Sequence, residues 1–74
     1  VNPMADIFRY YKIGNALVKV KYNADGIKCA YEFDKAKKDF VINNLFISDI
    51  IEDADVKPLR REEFEKLVKI ARIA

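Results

Sequence analysis

The chain has 74 residues, 51% of them hydrophobic, with 14 Lys/Arg against 12 Asp/Glu for a net charge of +2. That length supports one domain with one modest core and no deep substrate cavity, and the small charge excess does not by itself imply a polyanion partner. His, Thr, Trp and Gln are absent, and Ser48 and Cys29 each stand alone, so neither a Ser-His or Cys-His pair nor a zinc site assembles within one chain.

Gly14 and Gly26 are too far apart for a phosphate-binding loop or a dinucleotide fingerprint. The expectation is a protein that is not an enzyme and uses no cofactor and no metal. No apolar run approaches the ~20 residues of a membrane span, no secretory signal is visible, and a lone cysteine fits a reducing cytoplasm. Charge is unevenly spread. Residues 1–38 hold eight Lys/Arg and four Asp/Glu, residues 39–74 six and eight, which suggests a basic sheet and an acidic second half.

Residues 4–74 read as a single small domain. Met4-Ala5 resembles a natural start, and residues 1–3 are set aside. Ile7 to Ile13 predicts a first strand, and Gly14 opening a two-residue loop suits a type II′ turn. Pairing then sets Ile13 against Ala16, Tyr11 against Val18, Arg9 against Val20 and Ile7 against Tyr22, with Arg9 the misfit on an apolar face.

Ala16 to Asp34 predicts a hairpin about Asp25-Gly26, because alternation with period two runs on both sides of a favoured type I′ dipeptide. A two-residue loop pairs Tyr22 with Cys29, Val20 with Tyr31 and Val18 with Phe33. Shifting the register by one would set apolar residues opposite charged ones. Cys29 therefore reads as a small buried hydrophobe on the apolar face.

Asp34 to Asp39 is a charged loop, and Phe40-Val41-Ile42 a short fourth strand. Phe46, Ile47, Ile50, Ile51 and Ala54 fall on one helical face, predicting a short helix from about Asn44 to Asp53. Asp55 to Leu59 contains Pro58 and reads as a linker or very short edge strand. A final helix from about Arg60 to Ile73 carries Phe64, Leu67, Val68 and Ala71 on one stripe, with acids early and bases late. Arg60 falls at the N-cap, where Ser, Thr, Asp or Asn is preferred.

The fold class is therefore α+β: an antiparallel meander of three to four strands, then a short helix and a C-terminal helix packed on one sheet face. That helix is expected to cover the face holding the even-numbered residues of the second strand. The opposite face supplies the candidate binding site: Phe8, Tyr10, Lys12, Leu17, Lys19, Lys21 and Lys28. Phe8, Tyr10 and Leu17 would be buried against a protein partner, with Lys19 and Lys21 at the rim. Apolar residues Ile70, Ile73 and Ala74 beyond the last helix's stripe add homodimerisation to the expected partners.

The function expected is a small, soluble, non-catalytic protein-interaction module of accessory or regulatory type. The alternative is a single-stranded nucleic-acid-binding module using the same face, since rings stack on bases and lysines meet phosphates. Lys35, Lys37 and Lys38 could add phosphate contacts. The acidic run Asp49, Glu52, Asp53 and Asp55 lacks the fixed spacing of a calcium loop and reads as a solvated edge or a contact for a basic partner.

Overall fold

The computed structural model describes residues 7–52 and 55–74. Five strands and two helices follow in the order β1 (Ile7–Ile13), β2 (Ala16–Asn23), β3 (Gly26–Asp34), β4 (Asp39–Ile42), α1 (Phe46–Glu52), β5 (Val56–Leu59) and α2 (Arg61–Ile73). The α+β class holds, with a fifth strand added to the expected meander. All pairings are antiparallel, and the sheet runs β4-β3-β2-β1-β5.

The first hairpin has the expected register, Ile13 opposite Ala16, Tyr11 opposite Val18 and Ile7 opposite Tyr22. Gly14 takes φ +57°, the left-handed value that a glycine-first turn requires. Arg9 is not a buried misfit. It is exposed, and its guanidinium lies 5.4 Å from the Tyr22 ring centroid. The Pro58 segment is indeed a short edge strand, where a missing N–H costs the sheet nothing.

The second hairpin departs from expectation. Its turn centres on Ala24-Asp25, the Asn23 side chain accepts the Asp25 N–H (2.8 Å), and Gly26 opens β3 at φ +112°. Tyr22 pairs with Ile27 but Lys21 with Cys29, so Lys28 is an extra, bulged residue. Every β3 side chain from Cys29 onward therefore changes face. Val18 meets Glu32, Val20 meets Ala30 and Lys19 meets Tyr31. Cys29 moves too, and it is a half-buried free thiol beside Lys21.

This odd register is tolerable because each charged partner finds a polar or aromatic contact. Glu32 accepts a hydrogen bond from Asn43 Nδ2 (3.1 Å). The Lys19 ammonium sits over the Phe40 ring, 4.2 Å from its centroid, with Phe8 and Tyr31 at 5.3 and 5.7 Å.

The bulge gives both faces an apolar centre. On one, Ile13, Val18, Val20 and Ala30 are buried beneath Phe46, Ile47 and Ile50 of α1. On the other, Leu17 and Phe33 are buried against Phe64 and Val68 of α2, with Tyr10, Phe40 and Leu59 around them. The C-terminal helix thus covers the odd-numbered residues of β2, the reverse of the expected face. Chain order enforces the division. β4 and β5 lie at opposite edges, so the connection carrying α1 crosses one face and leaves the other to α2.

Asn43 and Asn44 splice β4 into α1. Asn44 Oδ1 accepts the Ala30 N–H (3.0 Å) and Asn43 Oδ1 the Leu45 N–H (3.2 Å). The predicted end of this helix at Asp53, with Ala54, lies outside the described residues. Helix α2 begins after Arg60, whose side chain offers no acceptor for a cap. Instead the Glu63 carboxylate accepts the Arg60 N–H (3.3 Å). At the far end Lys38, at φ +58°, donates through Nζ to the carbonyls of Ala71 (3.1 Å) and Ala74, while Arg72 Nη1 donates to the Lys38 carbonyl (2.6 Å). This reciprocal clasp puts positive charge at the negative end of the helix dipole.

Phe64, 2% exposed, is the main anchor of α2. Phe64→Ala is expected to cost about 3–5 kcal/mol, much of the stability of so small a domain. Gly26→Ala is expected to cost about 1–3 kcal/mol through φ strain alone, since no atom lies within 4 Å of the added Cβ. Urea unfolding monitored by circular dichroism checks both.

Candidate functional site

Strand alternation sorts charge between the two faces. On the α2 face the strands carry Lys12, Lys19, Lys21 and Lys57 and, among the described residues, no carboxylate. The opposite face holds Glu32, Asp34 and Asp39. The paired lysines of the strands therefore all lie on the side that α2 partly covers, and Arg9, over the Tyr22 ring, is the strand cation of the opposite face.

Between α2 and this face lies a groove of about 460 Å³. Its floor is aromatic: Tyr10 packs on Phe64 (centroids 4.8 Å apart), Phe64 stacks on Phe40 (6.0 Å), and Phe8 forms the open end. Lys19, Arg61, Lys69 and Arg72 supply its positive charge, and Glu65 is the one carboxylate lining it. Glu65 Oε1 accepts a hydrogen bond from Arg61 Nε at 2.7 Å, which raises the already high pKa of that guanidinium. Arg72 lies 5.2 Å from the Phe33 ring centroid and is held by the Lys38 carbonyl.

The expected site residues divide. Phe8, Tyr10 and Lys19 meet in the groove. Phe8 is 39% exposed, whereas Tyr10 is half-buried against Phe64. Leu17 is 7% exposed and belongs to the core under α2, so it is not presented to a partner. Lys21 lies beyond the groove, between Phe8 and Cys29 in the sheet. Lys12 lies on the other flank of α2, in a second groove with Leu67 and Ile70. Lys28 is displaced by the bulge and faces Asp25 across the turn, 3.8 Å away.

Arg61, Lys69 and Arg72 were not among the expected residues. Their signal is present in the sequence: 61, 65, 69 and 72 form a helical flank beside the apolar stripe. That flank becomes informative only once the face under α2 is known. Of the acidic run, Asp53 is outside the described residues, and among those described no three metal-ligating side chains come together. Lys35 and Lys37 are exposed, while Lys38 is engaged at the end of α2. Among the described residues no helix is long and apolar enough to cross a membrane.

No protein-family model matches the chain, and comparison with curated proteins and with solved structures yields no match either.

One titratable group stands apart from the groove. On the α1 face the Tyr11 and Tyr22 hydroxyls are hydrogen-bonded at 3.1 Å. Burial, then this bond, pushes the Tyr11 pKa from 10.0 up to about 12. The unfolded chain loses that proton at lower pH than the native protein does. Stability is therefore expected to fall as pH rises from the ordinary tyrosine range towards the native value. Absorbance titration of tyrosinate in the native protein should show one late-titrating group, which Tyr22→Phe shifts back towards the ordinary range.

Proposed function

We propose that the chain is a non-catalytic protein-interaction module that takes an acidic segment with an apolar anchor into the groove beside α2. The observation that carries this reading is an aromatic floor rimmed by Lys19, Arg61, Lys69 and Arg72, with the lone Glu65 already bonded to Arg61. Carboxylates of the partner meet the cations, and an apolar side chain seats against Phe8 and the Tyr10 ring. Such complementarity speeds association and sets orientation, while the buried anchor supplies most of the affinity.

Phe8, 39% exposed in the groove, supports a protein partner as a seat for its apolar anchor. The ring faces support it as well. Stacked bases need open aromatic faces, but Phe40 and Phe64 stack on each other and Lys19 lies over Phe40. Single-stranded nucleic acid remains the second reading, favoured by the four lysines without a carboxylate on the α2 face of the strands.

Fluorescence polarisation separates the two. The probes are labelled acidic peptides built around a central Leu or Phe, and a labelled oligothymidine. The expected result is peptide binding weakened several-fold by Lys69→Glu, as befits about 1 kcal/mol of rim electrostatics. Phe8→Ala should weaken it too, and Ile51→Ala on the far side should not. Oligothymidine binding that falls steeply with salt, without peptide binding, would transfer the site to nucleic acid. Binding of neither probe counts against the groove as a site.

A further inference from the structure

The two edges of the sheet are protected unequally. β5 carries Lys57 and Pro58, both exposed, and each discourages strand addition. β4 has neither Lys nor Pro, and it ends at Ile42, 65% exposed, with Leu45 exposed shortly after. Its inner side is paired to β3, and the Asn43 N–H continues that ladder to the Ala30 carbonyl (2.8 Å). Bonding direction alternates along an antiparallel strand. Val41 and Asp39 therefore bond inward with Asn43, and Phe40 and Ile42 aim their backbone groups outward.

We propose that this edge of β4 pairs antiparallel with β4 of a second copy, with Phe40 opposite Ile42 and Val41 on the two-fold axis. The occupant is argued from self-complementarity, which a two-fold contact requires. Phe40-Val41-Ile42 is apolar and centred on Val41, so the register matches outward-bonding residues with outward-bonding residues in both directions. It also sets Asp39 opposite Asn43 rather than opposite a second carboxylate. The Phe40 N–H, which now donates to its neighbour Asp39 Oδ1 (2.8 Å), exchanges that acceptor for the Ile42 carbonyl of the second copy. A four-residue strand buries less than the ~1,200 Å² of a standard interface, so the dimer forms reversibly with concentration.

Sedimentation of the full chain over a dilution series tests this, with Ile42→Lys as the seam variant and Ile73→Lys, also at an exposed position, as the control. The wild type and Ile73→Lys should pass from monomer to dimer as concentration rises, and Ile42→Lys should stay monomeric. In the wild type, hydrogen exchange of the Ile42 amide should slow as the dimer fills, a readout that needs no variant. A monomer persisting at millimolar concentration overturns the seam. So does a dimer that survives Ile42→Lys, one lost equally in Ile73→Lys, or one that leaves Ile42 exchange unchanged.

Discussion

A single extra residue in β3 sets the architecture. With Lys28 bulged, Phe33 and Tyr31 lie beside Leu17 and Lys19, and Ala30 lies beside Val20. Without the bulge, the aromatic side chains of β3 would crowd the face that already holds Tyr11, Val18, Val20 and Tyr22. The other face would then have too little apolar surface to hold a helix. The small Ala30 makes room for α1, and Phe33 and Leu17 give α2 something to bury. Helix docking on both faces follows from that one change of parity.

The groove follows from a mismatch of size. α2 has 13 residues, about 20 Å of helix, and lies over the Leu17, Phe33 and Phe40 part of the sheet. It leaves Phe8, Lys21 and Cys29 beyond its flank. Lys19 sits at the border, where its ammonium lies over the Phe40 ring and serves as a positive point in an apolar setting. The Lys38–Arg72 clasp fixes the C-terminal end of the helix, so the width of the groove is set by packing on one side and by hydrogen bonds at one end.

Much of the fold was legible in local chemistry. Gly14-Asn15 determined the first hairpin, the Phe64 stripe located α2, the isoleucine spacing placed α1, and Pro58 left its segment as either a linker or a very short edge strand. What was not legible depends on partners distant in sequence. The parity argument against Lys19 opposite Tyr31 is sound for two strands considered alone. It fails because Phe40 and Phe8 add rings around the ammonium and Asn43 reaches Glu32. Of the candidate site, Phe8, Tyr10 and Lys19 were identifiable, but Leu17 became core and Arg61, Lys69 and Arg72 entered from α2. Each of those changes traces to the same misassigned face.

The pairing of β1 with β5 has a consequence for the order of folding. The β1 to β4 meander is built from neighbouring hairpins, each closed by a short turn. β5 must return from the opposite edge to set Val56 against Ile13 and Leu59 against Tyr10. Loop-closure entropy makes such distant pairings late events. The nascent domain thus passes through a stage in which the meander exists but the outer side of β1 has no neighbour. During that stage the outer side of β1 is an additional open edge, available for mispairing between chains, and the arrival of a short, proline-bearing strand closes it.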